Sequence, residues 1–379
     1  MIKVSIKMTK ITLILFITFF TFIAAAQQNI NKLNCLQELL NTLEVQNNFN
    51  GAVLVAKEGQ IIFNTNVGYS FKNKGALIIN SSTFELGSMS KTFTALALHI
   101  LEENGKINLN SPITDHFPKL PYNNVTVNAL LNHTSGLYDV YEEKELREKY
   151  FAFYNNVNAP YSNQDYFDFI AKYKPPLLWQ PNEKHKYSNT GYVILGLLIE
   201  RISGQSYFDF ITENILKPAN MKHTYLIKEL KNERIPSLVY GYSKNKAGEI
   251  LRNPDPSAPP KMRGLTYGDD DMISTVDDML KYDQAIRNGV FFNQSKMEEI
   301  FKPVLLNDGS KSHYARGFRI IEEGQNRRVD HTGSTSGYYA YSKFSTPDSD
   351  YSIVLFINVT MGGEHFRKLQ NDIISIMEN

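Results

Sequence analysis

Strand-forming segments stand at both ends of this chain, and a long helical stretch separates them. Gly51-Ala-Val-Leu-Val-Ala-Lys57 and Gln60-Ile-Ile-Phe-Asn-Thr-Asn-Val67 flank Glu58-Gly59 and read as a two-stranded hairpin. Further strands are expected at Tyr314 to Glu322, Arg327 to His331, Tyr338 to Ser345 and Tyr351 to Val359, before a closing helix from Glu364 to Met377. From about Ser111 to Pro260 the chain is helical, broken by prolines and polar loops. The economical architecture is α+β: one antiparallel sheet built from both ends, flanked by helices, with a helical subdomain beside it. The α/β part then covers about 27–110 and 262–379, and the helical part about 111–261.

The helices expected from spacing begin with Asn31 to Val45, where Leu33, Leu36, Leu39, Leu40 and Leu43 share a face. A buried helix follows Ser88 and stops near Asn104-Gly105. Three more are Val127 to Asn132, Asp165 to Tyr173 and the strongly apolar Gly191 to Ile202. Asn253 to Pro260 holds four prolines and reads as a rigid surface connection. Ser274 to Arg287 is a helix capped by Ser274 or Thr275, with Asp277-Asp278 in its first turn.

The 379 residues are 42% hydrophobic and 21% charged, which suits a globular protein with a sizeable core. Residues 1–26 stand apart from it. Lys3, Lys7 and Lys10 precede an apolar run from Ile11 to Ile23 and then Ala24-Ala25-Ala26, the three regions of a secretory signal cleaved near Ala26. The run is too short to span a bilayer, which takes about twenty residues, although an uncleaved anchor is the alternative. Losing the three lysines takes the formal charge from +1 to −2, leaving no electrostatic reason to expect nucleic acid or anionic lipid as partners. A single cysteine, Cys35, excludes an internal disulfide. A periplasmic or secreted protein without stable membrane insertion is expected.

The chemistry starts at Phe84-Glu-Leu-Gly-Ser88-Met-Ser-Lys91-Thr-Phe-Thr-Ala-Leu-Ala-Leu-His99, where a Gly-Ser turn opens a buried helix. Ser88 and Lys91 are three apart, so an amine can reach a hydroxyl at a helix N-terminus, where backbone N–H groups favour developing negative charge. Burial of the lysine stem favours the neutral form that accepts a proton. Ser-x-x-Lys is a weak signal alone; the second copy, Ser243-Lys-Asn-Lys246, lies in a polar segment with no apolar helix behind it.

A second proton carrier and an oxyanion site are needed for acyl transfer. Tyr-x-Asn occurs at Tyr122, Tyr154, Tyr161 and Tyr187. Only Tyr187-Ser-Asn189 sits on a tight loop ahead of the most apolar helix, which would hold its side chains rigidly. Tyr161-Ser-Asn163 precedes an amphipathic helix and reads as packing. The third piece is Asp330-His331-Thr-Gly333-Ser334-Thr-Ser-Gly337, expected to end one strand and open onto Tyr338, with Gly333 letting the backbone approach a ligand closely. Taken alone, His331 reads first as a structural histidine.

Ser88-x-x-Lys91, Tyr187-Ser-Asn189 and His331-Thr-Gly333, in that order, resemble the three motifs of the serine β-lactamase and penicillin-binding-protein superfamily. The Tyr-x-Asn form is similar to the class C β-lactamase branch with its D,D-peptidases, D-aminopeptidases and esterases. Leu130-Leu-Asn-His-Thr-Ser-Gly-Leu137, Ile273-Ser-Thr-Val-Asp-Asp-Met279 and Leu355-Phe-Ile-Asn358 extend the likeness to roughly residues 35–375. The resemblance implies a β-lactamase/transpeptidase-like fold, with Ser88 as acylated nucleophile and Lys91 and Tyr187 as the proton-transfer pair. It also implies that Asn189 bonds the substrate and Lys91, and that the Ser88 and Ser334 N–H groups form the oxyanion hole.

Two departures bear on substrate. His331 stands where β-lactamases carry Lys and is expected to be only partly cationic near neutral pH, weakening capture of a β-lactam carboxylate. Tyr267-Gly-Asp-Asp-Asp271 is acidic where many relatives are small, and is expected to face water. The implied function is a secreted serine hydrolase acting through an acyl-enzyme on an ester, D-amino acid peptide or lactam bond. The competing reading is a penicillin- or peptidoglycan-binding module using the same pocket without turnover. No cofactor is implied, and the eight histidines form no His-Glu-x-x-His or His-x-His pair that would hold a metal. The substrate is a small molecule or peptide, and the segment Tyr138 to Tyr173 suggests a partly aromatic cleft.

Overall fold

The computed structural model describes residues 27–46, 49–71, 75–140, 142–153, 162–227, 237–244, 249–253, 266–323 and 326–378. The leader 1–26, the proline run 254–260, and Tyr154, Tyr161 and Lys246 lie outside the described residues. Asn50–Thr360 forms one compact unit, and the terminal segments, through Phe49 and from Met361 on, form another. The terminal unit begins with helix α1 (27–45), in which Leu36 and Leu40 are fully buried one turn apart.

The larger unit opens with β1 (Gly51–Lys57) and β2 (Gln60–Val67), paired antiparallel through Glu58-Gly59. Both turn residues have positive φ, 51° and 78°, as the two-residue hairpin turn that matches strand twist requires. Short strands β3 (Tyr69–Phe71), β4 (Ala76–Leu77) and β5 (Phe84–Glu85) lead to a 3₁₀ turn, Gly87–Met89, and then α2 (Ser90–Glu103). Helix α2 is buried on every side through most of its length, the mark of a helix enclosed by protein.

The helical middle holds α3 (Val127–Leu131), α4 (Lys144–Phe153), α5 (Asn163–Tyr173), α6 (Asn189–Ser203) and α7 (Tyr207–Ile211). Spacing does not anticipate α4, whose surface carries charge pairs such as Lys149 with Glu145, 2.6 Å, in place of a wide apolar stripe. Ser162 and Asp165 form a reciprocal capping box at the start of α5. Next come β6 (Tyr225–Leu226), β7 (Tyr242–Lys244), β8 (Ile250–Arg252) and β9 (Met272–Ser274). Helix α8 (Val276–Arg287) follows, with the Thr275 hydroxyl accepting the Asp278 N–H at 3.1 Å, then α9 (Gln294–Ile300).

The last strands are β10 (Tyr314–Ala315), β11 (Phe318–Glu323), β12 (Asn326–Thr335), β13 (Tyr338–Phe344) and β14 (Tyr351–Ile357). They join β1 and β2 in a seven-stranded sheet of order β10-β11-β12-β13-β14-β1-β2. Gly51 pairs with Ile357, so early and late strands meet inside one antiparallel sheet, as their placement along the sequence implies. Strand β12 continues past its expected end at His331 to Thr335, because its ladder with β13 persists through Gly333–Ala340 and Thr335–Tyr338. The Thr-Gly-Ser-Thr run, expected to lie beyond the strand, is part of it, and the turn falls at Ser336-Gly337, where Gly337 has φ 83°.

Helix α10 (Gly363–Glu378) closes the terminal unit with Phe366, Leu369, Ile373 and Met377 on one buried stripe. The Lys32 ammonium of α1 donates to the Met377 carbonyl at 3.1 Å. Among the described residues no helix is long and apolar enough to cross a membrane.

Candidate active site

Ser88 lies not in the helix proper but in the 3₁₀ turn that precedes it, half-buried, next to Gly87 at φ 52°. The Leu86 N–H donates to the Met272 carbonyl at 2.8 Å and pins this turn to β9. Lys91, the second residue of α2, is fully buried. Its Nζ is 3.0 Å from Ser88 Oγ, 2.8 Å from Asn189 Oδ1 and 2.7 Å from the Asp269 carbonyl. The amide oxygen and the carbonyl can only accept, so they take two N–H bonds, and the remaining position on the amine faces the Ser88 hydroxyl. The rings of Tyr187 and Tyr192 close the other sides, with centroids 5.0 and 5.6 Å from Nζ.

Asn189 is the first residue of α6, and Asp139 Oδ2 fixes it twice, accepting from its backbone N–H at 2.8 Å and its Nδ2 at 2.9 Å. Both donors on Asp139 leave Asn189 Oδ1 turned to Lys91. The expectation that the acidic segment 267–271 faces water fails at Asp269, which is buried and presents its carbonyl to Lys91. Buried side chains hold the loop in place: Thr94 Oγ1 donates to the Gly268 carbonyl at 2.7 Å. Asn163 Nδ2 donates to the Tyr267 carbonyl at 2.8 Å, and its Oδ1 accepts the Tyr267 N–H at 2.9 Å. The Tyr161-x-Asn163 pair that reads as packing therefore does structural work at its Asn end. Burial, helped by neighbouring Asp270 and opposed by Lys91, pushes the Asp269 carboxyl well above the usual carboxylate range.

His331 departs from its expected state. Its ring is buried, and Nδ1 lies 2.7 Å from the acceptor-only Thr332 carbonyl, so Nδ1 carries the hydrogen and Nε2 accepts from Tyr314 OH at 2.9 Å. Burial above all, with the Arg319 and Lys91 cations, holds the imidazole well below its ordinary range. It is neutral, not partly cationic, at neutral pH. Two residues on, Gly333 lies against the nucleophile turn: a Cβ there would stand 1.7 Å from Leu86 O and 3.2 Å from Ser88 N. From the other side, a Cβ on Gly87 would stand 3.0 Å from Ser334 N, so the Ser88 and Ser334 amides lie on facing segments. Ser334 is exposed.

Tyr187 is half-buried, and its hydroxyl is enclosed with no hydrogen-bond partner among the described residues. Its ring packs on His133 with centroids 4.1 Å apart and planes 34° apart. Ser88, Lys91, Tyr187 and Asn189 are thus brought together; Gly333 and Ser334 border Ser88, and His331 supports the strand from within. Sequence reasoning missed Asp139, Asp269, Tyr192 and Tyr314, and gave His133 no role. Tyr192 stood within reach, since it follows Asn189 by three residues on a helix and must share its face.

The family described as Beta-lactamase matches residues 36–374 of this chain. Penicillin-binding protein 4* of Bacillus subtilis (strain 168) is 35% identical over 318 residues, covering 81% of this chain and 68% of that protein. Among solved structures, D-amino acid amidase from Ochrobactrum anthropi SV3, complexed with L-phenylalanine amide, aligns with TM-score 0.75 at 24% identity. That alignment covers 92% of this chain and 99% of the amidase. FmtA from Staphylococcus aureus aligns with TM-score 0.73 at 23% identity, over 91% of this chain and 89% of that one. The two structural likenesses establish the fold, which is the one these proteins share.

Proposed function

The chain belongs to the β-lactamase family, and we propose that it is a serine hydrolase working through an acyl-enzyme. The observation that carries this reading is the Lys91 amine, 3.0 Å from Ser88 Oγ and held there by acceptors at Asn189 and Asp269. In the proposed cycle Ser88 Oγ attacks the substrate carbonyl while its proton passes to the Lys91/Tyr187 pair. The tetrahedral oxyanion is bound by the Ser88 and Ser334 N–H groups, each worth about 3 kcal/mol in such sites. Collapse breaks the bond to the leaving group, which takes the proton back from the pair. Water, deprotonated by the same pair, then attacks the Ser88 ester, releases the acid and returns the proton to Oγ.

The neutral, enclosed His331 leaves the third motif without a side-chain cation for a substrate carboxylate. This favours esters and amides over β-lactams, and D-amino acid amides are the natural first peptide-like substrates given the amidase neighbour. The Lys, apolar and Ala succession of residues 1–26 supports export from the cytoplasm.

Intact mass after treatment with a fluorophosphonate tests the reading. A single adduct, lost in Ser88→Ala, is expected together with turnover of p-nitrophenyl esters or D-amino acid amides. Full esterase activity in Ser88→Ala would remove the nucleophile. An adduct without turnover of any ester, amide or nitrocefin would make the protein a binding module.

A further inference from the structure

We propose that His133, which touches no reacting atom, is the positioning residue for the Tyr187 phenol; the assignment rests on Tyr187 being a proton carrier. Its two neighbours in the chain both hang on this one residue. The Lys186 N–H donates to the His133 carbonyl at 2.9 Å, and the Ser188 N–H donates to His133 Nδ1 at 3.1 Å. Between these two bonds the Tyr187 ring lies against the imidazole face, with centroids 4.1 Å apart. The clamp is itself anchored next door, where the Asn182 N–H donates to the Thr134 carbonyl at 2.8 Å and Thr134 Oγ1 donates to Asn182 Oδ1 at 2.7 Å.

The geometry also fixes the protonation state that the clamp needs. Nδ1 accepts a backbone N–H, so the hydrogen sits on Nε2 and the ring is neutral. A protonated ring would set N–H against N–H and open one side of the clamp. The rings packed around it are Tyr187 and His185 from the loop, Tyr192 from α6 and Tyr314 from β10, and the further titratable groups that act on it through charge are Lys91 of α2 and His331 of β12. Burial first, then Lys91, His185 and His331, hold this imidazole well below its ordinary range, so the neutral acceptor persists across neutral pH. His133 adopts φ 57°, a left-handed conformation that Asn tolerates better than most residues. His133→Asn therefore keeps both the backbone and an acceptor at the δ position, whereas His133→Phe keeps the ring volume and loses the acceptor.

The test combines kinetics with histidine ring nitrogen spectra of the full-length protein. His133→Phe is expected to lose about 100-fold in kcat with KM within about threefold, the cost of a catalytic group displaced by about 1 Å. His133→Asn is expected to stay within about fivefold of wild type, given the retained acceptor. At pH 7 the His133 signal, identified by its absence from His133→Asn, is expected to show the neutral Nε2–H tautomer. An Nδ1–H tautomer overturns the proposal without any need for a folded Phe variant. So does wild-type kcat in His133→Phe while Tyr187→Phe is inactive, which spares the acyl-enzyme reading. Wild-type kcat in Tyr187→Phe removes the premise and the proposal with it.

Discussion

Adding one methyl group at Gly333 should disable the site without touching any side chain in it. In Gly333→Ala the new carbon would lie 1.7 Å from Leu86 O, 2.8 Å from Leu86 C and 3.2 Å from Ser88 N. All three are backbone atoms, so no rotamer relieves the clash. Cβ atoms essentially never come within 3.0 Å of another heavy atom, so β12 and the Gly87–Met89 turn must part by about 1.3 Å. The oxyanion hole proposed above spans that seam. A displacement of about 1 Å costs about 100-fold in rate, and loss of one amide donor about 100- to 1000-fold. The expectation is a fall in kcat of about 100-fold or more, or at least about 2.7 kcal/mol of transition-state stabilisation, with KM less affected. Steady-state hydrolysis of a p-nitrophenyl ester measures this, alongside the fluorophosphonate labelling rate and a circular-dichroism melt that establishes folding. Gly87→Ala is the internal comparison: its new carbon meets Ser334 N at 3.0 Å rather than overlapping an oxygen, so its rate loss should be smaller. A folded Gly333→Ala protein with kcat within about threefold of wild type would refute the placement of β12 as half of the hole.

Lys91→Ala should lose about 1000-fold or more in kcat while the fold survives, with stability lowered by about 1–3 kcal/mol for each acceptor, at Asn189 and Asp269, left without its donor. Labelling rate and thermal melt check both halves, and a wild-type labelling rate would exclude the amine from the proton path. Asp139→Ala should free the Asn189 amide to rotate and lower kcat about tenfold or more, because the carboxylate that holds its N–H and Nδ2 is gone. An unchanged kcat would mean that Lys91 alone fixes that amide. Burial lifts the Asp283 carboxyl from 3.8 to about 6, against the pull of hydrogen bonds from Ser352 and Ser345. A raised carboxyl pKa contributes stability that is full below pH 3.8 and lost as pH rises through about 6. From pH 7 to pH 5 this carboxyl contributes about 1 kcal/mol of a total on the order of 3 kcal/mol, while the buried His133 and His331 imidazoles, held low, act in the opposite direction over the same range; the readout is therefore the difference between two proteins, and Asp283→Asn should lose about 1 kcal/mol of acid-side stability relative to wild type. Glu102 adds a further opposing contribution only in stronger acid, since its hydrogen bond to His99 holds it near 2. An identical pH slope in both proteins would discard Asp283 as its source.

The elements that the sequence shows best are those whose pattern is local. Helices α5, α6 and α8 fall within a few residues of expectation because caps and periodicity lie in the same short windows, as with Thr275 at the start of α8. The sheet could be assembled because strands placed at both chain ends have few ways to be satisfied except by pairing with each other. Strand β12 was misjudged at its end for a non-local reason. Gly333 reads as leaving room for a ligand, and what occupies that room is Leu86 O, a backbone atom more than two hundred residues away that no local pattern announces. The same limit hid Asp139 and Asp269, whose partners in the site are 50 and 178 residues away in sequence.

Charge was the least legible property, because residue type sets only a reference from which burial departs. His331 and the 267–271 segment show the two directions. An imidazole expected to carry part of a positive charge is neutral once enclosed between Tyr314 and its own strand. An acidic run expected to meet water instead sends one carbonyl to a lysine, with its carboxyl driven toward the protonated form. Both changes reduce formal charge in the same small volume, and the Lys91 nitrogen there is bonded to uncharged oxygens at Ser88, Asn189 and Asp269. Of those three oxygens only the Ser88 hydroxyl carries a hydrogen, because the Asn189 amide oxygen and the Asp269 carbonyl can only accept; the one proton within reach of the Lys91 nitrogen is therefore that of the nucleophile, which is the geometry a proton acceptor beside Ser88 requires.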